Sequence, residues 1–306
     1  MGKLTNKKIA LLKGGPGSER EVSMASAAGV SRALSDLGAN VVEIDVTGPD
    51  FEVPQDVFIA FNLIHGTFGE DGELQKVLER KGILYTGEGV EESRIAFDKI
   101  ESKQKFVEHG IPTAAFEIIK AGGHPTLPLP YVVKAPREGS SVGVYIVKTE
   151  TEVAPALRDA AQYSEVLLVE KFVKGRELTV GILGDQALPI IEICPKQGFY
   201  DFKNKYPFLN AQGGGGADHI CPAPLSEQET RLVQEVALRA KRSLGLEVYS
   251  RVDVLLSEEG EASVLEINTI PGMTQASLLP EAAGVAGIGY GALCEKIIEL
   301  SLARQK

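Results

Sequence analysis

Residues 251–272 read RVDVLLSEEGEASVLEINTIPG, and the reading of the whole chain turns on them. Residues 250–256 and 262–268 alternate or run apolar as strands do, and Ser257-Glu258-Glu259-Gly260 between them is turn material. A turn closing symmetrically on Glu259-Gly260 sets Asp253 opposite Glu266 and Arg251 opposite Asn268. Side chains alternate along a strand, so these four share one face. Val252, Val254, Leu265 and Ile267 take the other, towards a core. Two carboxylates directly opposite, with Cβ atoms about 5 Å apart, repel. A hard divalent cation removes that conflict, because Asp, Glu and Asn oxygens are the ligands Mg²⁺ takes beside substrate phosphates. A solvated acidic face has the same pattern, and the hairpin alone leaves both readings open.

Upstream of the hairpin, Ser226 to Leu244 predicts an amphipathic helix opened by a capping box, Ser226 with Glu229. Residues 195–224 before it are the least regular part of the chain. They include FYDFKNKY, with Lys203, Lys205 and Tyr206, and then four consecutive glycines that cannot pack a core. This predicts a mobile loop, either a lid or a solvent loop. Further back, strands are expected at 116–119, 131–134, 144–147, 166–170 and 177–183, with a helix near 151–162. KAPREGSSVG, residues 134–143, follows one of these strands. Backbone N–H groups of a Gly/Ser loop can close over phosphates, and Lys134 adds a point charge. A hairpin turn without a ligand is the alternative, and the absence of GK[ST] excludes a Walker A loop. Glu170-Lys171-Phe172-Val173 can offer backbone groups to a purine edge, with Glu177 in reach of ribose hydroxyls. After the hairpin come MTQASLLP and a helix near 289–303.

At the other end, Lys8 to Leu12 reads as a buried strand followed by Gly14-Gly15-Pro16-Gly17. Ser18 and Glu21 suit a capping box, and Val22, Val30, Ala33, Leu34 and Leu37 form a helical stripe ending at Gly38. With strands at 41–46 and 57–62 this is a parallel βαβ pattern. In open parallel sheets the crevice lies just beyond the strand ends. There the chain has Glu19, and HGTFGEDG at 65–72 beginning with His65. The plainer readings are a helix-dipole partner for Glu19 and a backbone-satisfied loop histidine for His65. GGPGSE is not GxGxxG, which argues against a dinucleotide turn. Helices are expected at 73–81 and 91–109, with a strand at 83–86 between them. Composition changes at about 100–113, where Gly110 and Pro112 end a helix, so three domains are expected at residues 1–100, 101–185 and 186–306.

The 306 residues, 43% hydrophobic and 24% charged, suit a soluble globular protein of two or three domains. A net charge of −10 argues against a general nucleic-acid or anionic-membrane binder, without excluding a local basic pocket. Cys194, Cys221 and Cys294 are odd in number and widely spaced, indicating neither a disulfide framework nor a zinc site. No leader-like or membrane-length apolar run is seen, and the expected location is the cytoplasm.

Taken together, GGPGSEREVS, HGTFGEDG, YTGEGV with FDK, VVKAPREGSSVG, VEKFVKGRELTV, FYDFKNKY, SRVDVLL and LEINTIPGMTQASLLP resemble the D-alanine–D-alanine ligases of the ATP-grasp superfamily. The resemblance covers nearly the whole chain in order. It implies an α/β fold in which ATP lies between two antiparallel sheets of the central and C-terminal domains, after an N-terminal parallel-sheet domain. It implies ATP-dependent joining of two D-alanines through an acyl phosphate, for peptidoglycan precursors, by a homodimer. Asp253, Glu266 and Asn268 match ligands of two Mg²⁺ (or Mn²⁺) ions, with Glu266 bridging. Lys99, Lys134 and Lys205 match lysines on the ATP phosphates, with Ser141 beside them, and Glu170 to Val173 with Glu177 match the adenine and ribose segment. Glu19 matches the carboxylate on the first D-alanine's ammonium, with Ser140 and Tyr206 completing a hydrogen-bonded trio, and His65 the residue beside that substrate's carboxylate. Arg251 and the backbone of Gly272 match oxyanion donors, and Ser277 with Leu278 the site of the second D-alanine's carboxylate. Tyr206 further implies a preference for D-alanine over D-lactate as second substrate. One departure from the family pattern is Glu88, which stands where small residues or methionine are common.

Overall fold

The computed structural model describes residues 2–196 and 216–306. Strands β1 (Lys8–Gly14), β2 (Asn40–Val46) and β3 (Ile59–Asn62) form a parallel sheet in the order β2-β1-β3, with α1 (Arg20–Asp36) crossing between the first two. β1 is central, and Ile9 to Leu12 are wholly buried. That is why IALL, residues 9–12, reads as a continuous apolar run. Ile9 and Leu11 join the cluster that holds Val30 and Leu34 of α1. Ala10 and Leu12 join Leu74 and Leu78 of α2 (Glu73–Arg80) on the opposite face.

Three expectations for this part are corrected. Ser18 makes no capping box: α1 starts at Arg20 and the cap position is Glu19, whose side chain makes no cap hydrogen bond and turns elsewhere. Residues 83–86 form no strand, only a single parallel bridge between Ala60 and Tyr85. The helix expected over 91–109 is two, α3 (Val90–Phe97) and α4 (Lys99–Glu108). Asp98 breaks them by taking an extended ψ of 107° and accepting the N–H groups of Ile100 (2.9 Å) and Glu101 (3.2 Å) as an N-cap. The break faces Lys99 towards the 134–143 loop, where its N–H meets Pro136 O at 3.0 Å.

Next comes a four-stranded antiparallel sheet of β4 (Phe116–Lys120), β5 (Tyr131–Lys134), β6 (Val144–Val147) and β7 (Val166–Lys171), ordered β4-β7-β5-β6. One face packs on α5 (Glu150–Ala160) through Tyr131, Val133, Leu167 and Val169. By alternation Val132 and Lys134 look the other way. The larger antiparallel sheet contains β8 (Gly175–Leu183), β9 (Gln186–Ala187), β10 (Ile191–Pro195), β11 (Ala217–Ile220), β12 (Tyr249–Ser257) and β13 (Ala262–Asn268). Its order is β11-β10-β8-β12-β13, with β9 on β8. β11 corrects the expectation of irregular chain over 195–224: among the described residues, 217–220 pair with β10. α6 (Glu227–Ser243) covers this sheet with Val233, Val236, Ala237 and Ala240, and its Ser226–Glu229 capping box forms as expected.

The hairpin β12–β13 carries the most informative difference. Asp253 pairs with Glu266 and Arg251 with Asn268, but beyond them Val254 pairs with Val264. The turn is therefore one residue out from the symmetric closure, and a bulge at Leu265 recovers the register. Val264, not Leu265, enters the core beside Val252, Val254 and Ile267. Leu265 shares the face of Glu266. The chain ends with α7 (Leu278–Val285), missed in the sequence, and α8 (Tyr290–Arg304), which returns to pack on α1. Among the described residues no helix is long and apolar enough to cross a membrane.

Candidate active site

A first cavity, about 620 Å³, opens where the parallel sheet, the 134–143 loop and the C-terminal segments converge. Glu19 lies in its wall and accepts the Ser140 hydroxyl at 2.5 Å, across 121 residues of sequence. That meeting needs a tight loop. Ser140 and Ser141 both have positive φ, 51° and 61°, a costly conformation for residues with a side chain. Gly139 next to them is as close as backbone can come, since a Cβ there would lie 2.7 Å from Glu19 Oε2. Two members of the expected trio are thus in contact. Tyr206, the third, and Lys205 lie outside the described residues.

Opposite them, Arg251, Gly272, Ser277 and Leu278 line the same cavity. A Cβ on Gly272 would meet Ser277 Oγ at 2.9 Å, so glycine allows the 271–277 turn to close on itself. Ser277 caps α7 by position, and its hydroxyl takes the N–H of Thr274 at 3.0 Å. The free N–H groups of that helix start face an anion favourably. His65 is buried behind this wall and is not part of it: Nδ1 meets Ile270 O at 2.9 Å, and Nε2 has no hydrogen-bond partner. Burial lowers its pKa and favours the neutral ring, against the pull of the Glu19 charge. Glu70 of the same HGTFGEDG loop is in the wall instead. Its Oε2 accepts the Gly66 N–H at 2.9 Å, Oε1 is buried without a partner, and burial with the nearby Glu19 pushes the carboxyl up to about 8.

The bulged hairpin sets its polar groups between the cavities. Arg251 grips Asp253 with two bonds of 2.9 Å, and Thr179 of β8 adds a hydroxyl to Asp253 Oδ1 at 2.6 Å. Glu266 Oε2 is 3.0 Å from Lys99 Nζ, which also donates to Glu138 O at 2.9 Å. Burial works against the Lys99 ammonium, but Glu266, with Glu170 and Glu70, outweighs it and the pKa rises. Asp253, Glu266 and Asn268 offer oxygen donors only, with the two carboxylates paired across the ladder. Among the described residues no three His, Cys, Asp or Glu side chains are grouped to hold a metal by themselves. That set fits Mg²⁺, which keeps one or two carboxylates and takes its other ligands from substrate phosphates and water.

The second cavity, about 530 Å³, lies between the two antiparallel sheets. Val132, Lys134 and Ile146 line it from the smaller sheet, and Glu177, Asp253 and Leu255 from the larger, with Leu265 of the bulge beside them. Ser141 and the segment Glu170, Lys171, Phe172 and Val173 close one side. Lys134 Nζ is 2.7 Å from Glu170 Oε2, and Lys103 Nζ is 3.3 Å from Oε1 of the same carboxylate. Although burial opposes it, the two lysines lower the Glu170 pKa. Lys99 and Glu266 line both cavities, so the two meet at that pair.

Glu70, Thr179 and Lys103 were not singled out in the sequence. The first two stand inside quoted motifs. Lys103 gave no signal, because a lysine in an amphipathic helix reads as exposed.

A family model described as "D-ala D-ala ligase C-terminus" matches residues 105–299. A D-alanine–D-alanine ligase of Methylacidiphilum infernorum is 48% identical over 298 residues, 97% of this chain and 96% of that protein. The crystal structure of D-alanine–D-alanine ligase from Bacillus anthracis complexed with ATP has a TM-score of 0.84 at 30% identity, covering 98% of each chain. That of VanG D-Ala:D-Ser ligase from Enterococcus faecalis has a TM-score of 0.85 at 25% identity, covering 97% of this chain and all of that one.

Proposed function

The chain belongs to the D-alanine–D-alanine ligases, and from that premise we propose how its residues share the work. The reaction joins two D-alanines at the expense of ATP, for cell-wall peptidoglycan. ATP first phosphorylates the carboxylate of one D-alanine, giving an acyl phosphate and ADP. The amine of the second attacks that carbonyl carbon, and the tetrahedral intermediate collapses with loss of phosphate.

The observation that carries the division of labour is the sharing of Lys99 and Glu266 by the two cavities. It suits a nucleotide in the cavity between the sheets and the amino acids in the other, with the γ-phosphate at the junction. Glu170 to Val173 and Glu177 hold adenine and ribose, and Lys99, Lys134, Ser141 and Lys205 the phosphates. Glu19, steadied by Ser140, takes the first D-alanine's ammonium, with His65 behind its carboxylate. Arg251 and the Gly272 backbone stabilise the developing oxyanion. Ser277 and Leu278, at a helix start, hold the second carboxylate. Asp253, Glu266 and Asn268 would hold two Mg²⁺ (or Mn²⁺) ions, which neutralise charge on the phosphates when bound. Positioning and charge neutralisation by these groups account for the catalysis.

The units at 1–100, 101–185 and 186–306 are our division of the chain, β8 being the strand the middle unit lends to the larger sheet. We further propose a cytoplasmic homodimer, to be checked by light scattering on the eluted protein. Purified protein with Mg²⁺ and ATP should release ADP and form dipeptide with D-alanine, with L-alanine as control. ADP release no greater than the L-alanine background would overturn the reading. D-serine and D-lactate in the same assay measure the choice of second substrate, for which D-alanine is expected.

A further inference from the structure

Lys103 is the most deeply buried cation in the described structure: its side chain has no exposed surface. It lies on α4, four residues after Lys99, and does not reach either cavity. Its ammonium meets three groups: the Thr113 hydroxyl, Ala114 O at 3.5 Å and Glu170 Oε1 at 3.3 Å. The Phe116 ring lies 5.3 Å away, face on. Thr113 in turn donates to Val264 O at 2.8 Å, on the strand that bears Glu266. Burying an ammonium so completely is expensive, and a helix of this kind would ordinarily carry an apolar residue there.

The arithmetic of charge suggests what the lysine does. Glu170 is buried too, at 2% exposure, and its other oxygen holds Lys134 at 2.7 Å. With Lys134 alone, the pair would be neutral and closed. Lys134 could turn to a nucleotide phosphate only by stranding a carboxylate in the protein interior, which costs far more than a surface pair. With two lysines on one carboxylate, one positive charge is left over at the cavity wall. Glu170 then keeps a counter-ion whichever way Lys134 points. Burial lowers the Lys103 pKa and the Glu170 carboxylate works against that, as a buried cation with one anionic partner requires.

We propose that Lys103 is a positioning residue for ATP: it pairs with Glu170 so that the Lys134 ammonium is free to bind the nucleotide phosphates. It touches no substrate and acts only through Glu170. The inference rests on the ligase reading given above. Wild-type turnover tests that reading, whereas the variants below, compared with wild type, test Lys103 alone.

The experiment is steady-state ADP release by the full chain at saturating D-alanine with ATP varied, for wild type, K103M, E170Q and K103M/E170Q. K103M keeps the length of the side chain and removes its charge. The expected result is a KM for ATP raised about tenfold or more, the worth of one charge-assisted hydrogen bond, with kcat within about threefold of wild type. In the E170Q background there is no carboxylate to strand, so adding K103M should leave the KM for ATP within about twofold. A folded K103M protein with an unchanged KM for ATP overturns the proposal. So does a rise that persists undiminished on top of E170Q, which would assign Lys103 a general structural role. Where K103M alone does not fold, the double variant lacks both buried charges and carries the comparison with E170Q.

Discussion

Glu266 faces Asp253 across the hairpin and Lys99 across the junction of the cavities, at 3.0 Å from the lysine. Glu266→Gln keeps the shape and removes the charge that both neighbours and the proposed metals answer to. It should lower kcat on the order of 10²-fold or more, by analogy with losing one preorganised electrostatic group, and Asn268→Ala should cost less. Equal and mild losses in ADP release would mean that the hairpin is not the metal site. Glu70 gives a different test at the same scale. Its carboxyl, pushed up to about 8 from an ordinary 4.5, keeps in the folded protein a proton that the unfolded chain gives up. Stability from this group is therefore greatest below about pH 4.5, falls as pH rises towards 8, and levels off above it. Glu70→Gln should remove that slope, so thermal melting from pH 5 to 9 should show wild type losing ground to the variant. A difference constant across that range would contradict the burial argument.

Among the elements, the hairpin was legible down to its cross-strand pairs, yet its turn was not. The pairs Arg251–Asn268 and Asp253–Glu266 follow from alternation and from the polar face, but nothing local says where one extra residue is absorbed. Packing decides it: Val264 fits the core under α6, and Leu265 is left to floor the cavity between the two antiparallel sheets, the one proposed for the nucleotide. Leu265→Ala should then cost less than about 1.5 kcal/mol in urea denaturation, against the 2–5 kcal/mol of a core leucine, while raising the KM for ATP. Val264→Ala should cost about 1–3 kcal/mol, the transfer loss of a buried aliphatic side chain. A large stability loss at Leu265 would restore the symmetric hairpin. The 91–109 helix failed for a related reason. Asp98 is a passable interior residue by pattern, and only its capping of Ile100 and Glu101, with Arg137 2.8 Å away, shows that it ends one helix and starts another.

At the scale of the molecule, the two ends of the chain are bound together through groups the sequence presents as ordinary. α8 packs on α1, and Glu88, a departure from the family pattern, accepts the N–H groups of Glu247 (2.9 Å), Val248 (2.8 Å) and Tyr249 (3.2 Å). Those amides lead into β12, so one carboxylate, only 1% exposed, ties the 87–89 turn to the strand carrying Arg251 and Asp253. Glu88→Ala leaves three donors, two of them buried, without that acceptor. It should destabilise the protein by about 2–3 kcal/mol or more in urea, with kcat near wild type, because Glu88 lines neither cavity. A loss below about 1 kcal/mol would mean that water replaces the carboxylate freely.

What the sequence determined by itself was whatever depends on local order: the βαβ run, the antiparallel strands, the capping box at Ser226 and the run of motifs that marks the family. Periodicity and capping act over a few residues, so they can be read along the chain. The tertiary structure alone decided which of the motif residues meet. Glu19 touches Ser140 across 121 residues, Lys99 reaches Glu266 across most of the chain, and His65 is behind the cavity wall while Glu70 is in it. It also decided that Lys103 is buried, with its ammonium nitrogen 3.3 Å from Glu170 Oε1. Such outcomes depend on which surfaces are left to be covered once the sheets pack, and on how closely backbone can approach at Gly139 and Gly272. Those are properties of the assembled solvent-free space, which no single segment carries.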